Sequence, residues 1–354
     1  MNSDRSEPSL GRGWRRAALT AGCLLLLGGV GAARADDLPT VKIAVGGGSC
    51  LCYLPTMLAE QLGNYKKAGV QVELADFKGG QQAEAAVIGG SSDVVSGFYD
   101  HTVVLQPKQK FLQSIVVFDR FPGLVLMVSP GNTDKIKTVK DLVGKKVGVS
   151  APGSSTDFFL KYLLRRNGED PTQTSVVGIG NGAPAVAAME QNQVEAGVLV
   201  EPVPTVLLSK HPDIRILSDT RSEKDTLAVF GGAYPAGALY TLSSWVEKHP
   251  KESQALADAI VMTLQWIQGH SPEEIMAQMP ENLVGSDKTL YLAALKATMP
   301  QYSTNGLMDP KGAQAVLDVF ASSDPEIANA KVDIGKTYTN TFAEAAGKKL
   351  GLTN

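Results

Sequence analysis

A surplus of basic charge is the first thing this chain lacks. Its 354 residues hold 33 Lys and Arg against 36 Asp and Glu. With neither a basic cluster nor a basic amphipathic helix, that balance disfavours nucleic acid and anionic membranes as partners. Cysteine is scarce too: of three residues, only Cys50 and Cys52 follow the N-terminal segment, so no disulfide framework staples the fold. The pair could join in an oxidising compartment, but a bridge across one intervening residue closes a tiny, strained ring. The four histidines, His101, His211, His249 and His270, are scattered, and neither HExxH nor GxSxG occurs. The one long apolar run, AALTAGCLLLLGGVGA, is shorter than the roughly 20 residues a spanning helix needs and is broken by glycines.

That run has a basic approach, Arg12, Arg15 and Arg16, and ends in ARA before Asp36. The three-part layout is that of a cleavable secretory signal over residues 1–35, which implies export to the periplasm. Its removal takes away five basic and two acidic residues and leaves a mature chain near −6. The remainder is long enough to bury a full core and to fold as two lobes.

From residue 41 onward, short apolar runs alternate with stretches of three- and four-residue spacing. VKIAV, VQVEL and DVVSG predict strands, and PTMLAEQLGNY and QQAEAAVI predict helices between them. About 100 residues later the layout recurs, with strands KVGVS, SVVGI and VEAGVLV and helices DFFLKYLLRRNG and AVAAMEQNQ. Each unit calls for a mainly parallel sheet flanked by helices, with right-handed crossovers. The runs SIVVF and LVLMVS leave the first unit, and RILSDT and YPAGALYTLS leave the second. The fold class is therefore α/β, two lobes joined by two crossing hinge segments near 122–129 and 231–240. Lobe one takes residues 36–125 plus 235–354, including the C-terminal helices, and lobe two takes 126–234.

Ligands of such sheets sit outside the carboxyl ends of the strands, which directs attention to GGGSCLCYL, DFKGGQQ, GFYDH, DRFPG, SAPGSST, GNGAP and EPVP. In APGSSTDFFL, Ser154 or Ser155 can cap a helix, with Asp157 in capping-box register to Ser154. Exposed N–H groups beside the hydroxyls of Ser155 and Thr156 can instead hold an anionic group. Gly80, Gln81 and Gln82 offer a similar helix start. Tyr99, His101, Arg120 and Phe121 can form a stacking wall with a hydrogen-bonding imidazole and a guanidinium, or they can be core residues and a surface ion pair. Glu201 can receive an amino group or stand as a rim charge. Cys50 and Cys52 with His101 could ligate a soft metal, although the spacing is not that of common zinc sites, and the two cysteines read better as small lining groups beside Tyr53.

Together, the runs LPTMLAEQLGNYKKAGVQVEL, FKGGQQAEAAVIGGSSDVVSG, VKDLVGKKVGVSAPGSSTDFFLKYLLRRNG and AAMEQNQVEAGVLVEP resemble the substrate-binding proteins of ABC importers for nitrate, taurine, aliphatic sulfonates and related organic anions. The resemblance covers residues 40–245 well and the helical remainder loosely. It implies a non-enzymatic periplasmic receptor that acts as a monomer, needs no cofactor or metal, and delivers a small organic anion to a permease and ATPase complex. It also places ligand contacts at Ser49, Cys50, Cys52, Tyr53, Gly80, Gln81, Gln82, Ser154, Ser155, Thr156 and Glu201. The cysteines depart from the family's pattern and, with Tyr53, Tyr99 and Phe121, point toward a bulkier or aromatic acid. The same superfamily includes proteins that bind thiamine-pyrimidine precursors and a metal-dependent pyrimidine synthase, of whose cysteine-rich iron motif CLC is a faint echo.

Overall fold

The computed structural model describes residues 38–352. The expected signal segment lies outside the described residues. Ten strands alternate with helices in chain order: β1 (Thr40–Val45), β2 (Gln71–Asp76), β3 (Val94–Phe98), β4 (Leu112–Val117), β5 (Val125–Val128), β6 (Lys146–Val149), β7 (Ser175–Gly178), β8 (Ala196–Leu199), β9 (Ile216–Asp219) and β10 (Gly237–Leu242). They form two five-stranded sheets, ordered β2-β1-β3-β10-β4 and β7-β6-β8-β5-β9.

The two sheets repeat one plan. β1 runs parallel to β2 and β3, and β6 runs parallel to β7 and β8. The fourth strand in each order is antiparallel to both of its neighbours: β10 in the first sheet, β5 in the second. Four of the five strands in each sheet run one way, the mainly parallel arrangement that the periodicity predicts, and one reversed strand makes each sheet mixed. The reason is topological: β5 and β10 are the strands that enter each lobe from the other, so they arrive reversed. Every residue of β3, β5 and β8 is buried, as expected of strands covered on both faces.

The two crossings lie side by side. Phe118 and Asp119 donate from their backbone N–H groups to Gly237 O at 2.8 and 3.1 Å, and Ala236 N–H donates to Asp119 O at 3.1 Å. Thr220 N–H donates to Leu124 O at 2.9 Å, while its hydroxyl oxygen accepts from Leu124 N–H at 2.8 Å. Backbone pairing of two extended segments allows bending with little loss of hydrogen bonds, which is the construction of a hinge. The second crossing also carries a helix, Glu223–Phe230, that the periodicity leaves unassigned.

The C-terminal helices do two jobs. Pro250–Gln268 packs on Leu54–Gln61 and Asn64–Ala68 of the first lobe. Pro310–Ser323 bridges the lobes, touching Asp100–Leu105 on one side and Ser155–Arg166 on the other, with Phe158 and Phe320 edge to face at 5.5 Å. Aromatic pairs in this geometry add about 0.5–1.5 kcal/mol beyond the area they bury.

Candidate functional site

The strand ends of both sheets face one cavity. Its walls are Gly46, Cys50, Cys52, Tyr53, Gly80 and Phe98 from the first lobe, Ser150, Ser154, Ser155, Thr156, Asn181 and Val200 from the second, and Leu124 from the first crossing. Its volume is about 20 Å³. That is room for roughly one water-sized group. The lobes are shut upon each other.

Glycine makes this approach possible. A Cβ on Gly79 would stand 2.9 Å from both Ala151 Cβ and Ser154 Oγ, and one on Gly182 would stand 2.8 Å from Ser49 Oγ. Gly79 has an extended backbone, so its lack of a side chain serves the seam between the lobes and not the turn. At Gly79 and Gly182 the missing side chain admits the opposite lobe.

Several polar contacts cross the seam. Ser154 Oγ accepts from Gln81 N–H at 3.0 Å, Ser155 Oγ donates to Asp100 Oδ1 at 2.7 Å, and Asn181 Nδ2 donates to Lys78 O at 3.0 Å. The helix Ser155–Arg166 consequently has no side-chain cap from Ser154, and the expected capping box does not form. Asp157 instead accepts from Gly153 N–H at 2.7 Å and pairs with Lys161 at 2.8 Å. Thr156 Oγ1 accepts from Ser150 N–H at 3.0 Å, which fixes the loop after β6. The first-turn N–H groups of this helix and of Gly80–Ile88 approach the cavity from opposite lobes, a disposition suited to an electronegative group.

Of the residues expected from sequence, Cys50, Cys52, Tyr53, Gly80, Ser154, Ser155 and Thr156 meet at the cavity. The cysteines are joined to each other by a disulfide, so the lining they provide is a closed ring and not two separate thiols. Ser49 faces the outer side of the seam, and Gln81 contributes its backbone N–H. Gln82 is exposed and accepts from Lys78 N–H at 3.2 Å. Tyr99 turns into the core, its hydroxyl 2.6 Å from Thr337 Oγ1. Arg120 and Phe121 line a separate pocket of about 470 Å³ behind the hinge, with Arg120 donating to Pro300 O at 2.7 Å. The carboxylate of Glu201 pairs with Arg221 at 2.8 Å and accepts from Thr205 N–H at 3.3 Å, so it is already engaged within its own lobe.

His101 lies behind the cavity wall. Its Nδ1 is hydrogen-bonded to Glu84, while Nε2 has no partner and abuts Gly80. Burial pulls its pKa down, but the hydrogen bond and charge of Glu84, aided by Asp100, carry it upward on balance. With the sulfurs bonded to each other and the imidazole committed to Glu84, the three do not converge on a metal position. Burial raises the carboxyl of Asp100, against the opposing effects of His101 and of hydrogen bonds from Ser155 and Tyr234.

Sequence reasoning passed over Gly46, Phe98, Leu124, Ser150, Asn181 and Val200, and also Asp100. Ser150 and Asn181 stand in strand-end loops already marked for attention, so position alone could have found them. Leu124 and Val200 carry no chemical signal. Outside the cavity, a groove of about 680 Å³ is lined by Asp76, Lys78 and Asn181 among others, and Asn181 belongs to both spaces. No helix among the described residues is long and apolar enough to cross a membrane.

Residues 36–280 match the NMT1-like family. A solved structure from Bordetella bronchiseptica RB50 is similar at 39% identity and a TM-score of 0.86, over 88% of this chain and 98% of that one. The nitrate/nitrite binding protein NrtA of Nostoc sp. strain PCC 7120 is 25% identical over 271 residues, 71% of this chain; the chain spans 59% of that relative's length. The alkanesulfonate-binding protein SsuA from Xanthomonas axonopodis pv. citri, solved bound to MOPS, shares the fold at 15% identity and a TM-score of 0.66, over 85% of this chain and 98% of that one. Both named relatives are binding proteins.

Proposed function

The chain belongs to the NMT1-like family, and from that membership we propose that it is the periplasmic solute-binding subunit of an ABC importer. It captures a small solute between its lobes, closes by bending at the paired crossings, and presents the closed form to a permease driven by a separate ATPase. Lobe one comprises 36–125 and 235–354, lobe two 126–234, and the protein performs no chemistry on its cargo. The observation that carries this reading is the convergence of both lobes' strand-end loops on one small cavity.

The solute class is a small organic anion: a sulfonate, a taurine-like molecule or an aromatic carboxylate. Two facing helix starts and the hydroxyls of Ser154 and Thr156 support an electronegative head in the cavity. The outer groove that shares Asn181 supports a tail extending past the seam. A second reading is favoured by charge: none of the residues lining the cavity is Lys or Arg, and Asp100 lies just behind Ser155. Those features suit an uncharged, donor-bearing ring such as a thiamine-pyrimidine precursor.

Binding to the folded form alone raises the melting temperature by mass action, by an amount equivalent to about 2.7 kcal/mol at a hundredfold excess over Kd. A thermal-shift screen of alkanesulfonates, taurine, nitrate, benzoates and aminopyrimidines tests the proposal. A sulfonate or carboxylate hit supports the first reading and an aminopyrimidine hit the second. No shift from any of them at millimolar concentration would sink both.

A further inference from the structure

Cys50 and Cys52 are each 3% exposed, line the cavity, and bracket a single residue, Leu51. That residue holds two long-range contacts at once. Its N–H donates to Glu201 O of the second lobe at 3.0 Å, and its C=O accepts from Tyr302 Oη of the C-terminal region at 2.8 Å. The turn is further tied by Cys50 N–H to Gly47 O at 2.9 Å and Tyr53 N–H to Cys50 O at 3.1 Å. A ring closed through the flanking side chains removes most of the freedom of the peptide groups inside it. One of them, the Leu51 N–H, reaches from the first lobe to the second.

We propose that the Cys50–Cys52 disulfide is a redox-set clasp. Oxidised, it presents the Leu51 N–H to Glu201 and favours lobe closure; reduced, it releases that peptide and shifts the protein toward the open form. The clasp is also gated by the lobes. In the closed form the sulfurs face a cavity too small to admit a thiol reagent, whereas opening turns the cavity wall toward solvent. A thiolate of a small dithiol then attacks one sulfur, forming a mixed disulfide as the other cysteine leaves as thiolate. The reagent's second thiolate displaces the first cysteine and departs as a cyclic disulfide, so two electrons and two protons pass to the protein. An oxidising compartment keeps the clasp set.

The clasp rests on the proposed lobe motion but not on the identity of the solute, so an empty thermal-shift screen would leave it standing. The test treats the full chain with dithiothreitol, traps thiols with iodoacetamide, and confirms by mass two more added groups than on protein alkylated without reduction. Hydrogen exchange at Leu51 and the radius of gyration from small-angle scattering are then compared with those of the untreated protein. The expected result is a gain in radius with circular dichroism unchanged, and a loss of Leu51 protection of up to about tenfold, the worth of one hydrogen bond. Tyr302→Phe, with the disulfide intact, should expose the same amide to a lesser degree. Doubly alkylated protein with native Leu51 protection and native radius would overturn the proposal. So would global loss of structure on reduction, which would make the disulfide a fold staple.

Discussion

Ser155 of the second lobe donates its hydroxyl proton to Asp100 of the first, at 2.7 Å, and Tyr234 on the second crossing donates to the other oxygen of the same carboxyl at 3.2 Å. Asp100 is fully buried, so its carboxyl depends on these donors. One side chain thus ties both lobes and a hinge segment together. The Ser155 hydroxyl, expected to face a ligand's anionic head, has its proton committed to holding the cleft shut.

Ser155→Ala removes that donor and leaves Asp100 with the Tyr234 hydroxyl and the His101 backbone. Hydrogen bonds to charged groups contribute about 1.5–3 kcal/mol, and here the loss falls on the closed form. The expected outcome is a larger radius of gyration and a lower affinity for the best solute from the thermal-shift screen, with the far-ultraviolet circular dichroism unchanged. Adding Thr156→Ala weakens binding further by loosening Ser150. Native affinity in the double variant would show that the helix start plays no part in capture.

Gly79→Ala tests closure with almost no change in chemistry. The backbone there is extended, so alanine adopts it freely, but the added methyl carbon meets Ala151 and Ser154 at 2.9 Å. Overpacking of this kind costs about 1–3 kcal/mol, and the open form escapes it. Isothermal titration should read a solute affinity weaker by about 5- to 150-fold, while the melting temperature without solute stays near native. Wild-type affinity would mean that the lobes need not approach this closely to bind.

Asp119, at the first crossing, is wholly buried, and neither carboxyl oxygen finds a well-aligned donor, although Gln301 and the Gly237 backbone lie beside it. Burial raises its pKa well above the ordinary 3.8, so the fold favours the protonated acid. The cost of ionising it sets in as pH rises through the unfolded value and grows until the folded pKa is reached. Asp119→Asn removes that cost. Denaturant titrations should show a gain over wild type of about 1–3 kcal/mol near pH 7 that shrinks toward zero below about pH 4. A gain of equal size at both pH values would locate the benefit in packing instead.

Much of the molecule was legible in the sequence. The recurrence of VKIAV, VQVEL and DVVSG as KVGVS, SVVGI and VEAGVLV announces two like sheets, because strand and helix periods are local properties of side-chain spacing. The helix Asp100–Leu105 escaped notice because its six residues, following GFY, carry too short a period to register. The loops at the strand ends, marked from topology alone, are the ones that line the cavity between the sheets.

What the residues themselves determined is the pair of sheets, their connections and the small, hydroxyl-rich character of the loops between them. Tertiary structure alone decided which polar groups meet. Glu201 turned to Arg221, Ser154 to the Gln81 amide, Ser155 to Asp100, and Cys50 to Cys52. Each pairing joins groups whose partner is set by the approach of two surfaces to within about 3 Å, or by the turn geometry that brings two side chains round to one side. Linear spacing encodes the period of a strand or helix, but not the distance between two lobes, and that distance is what makes a loop serine a ligand contact or a latch.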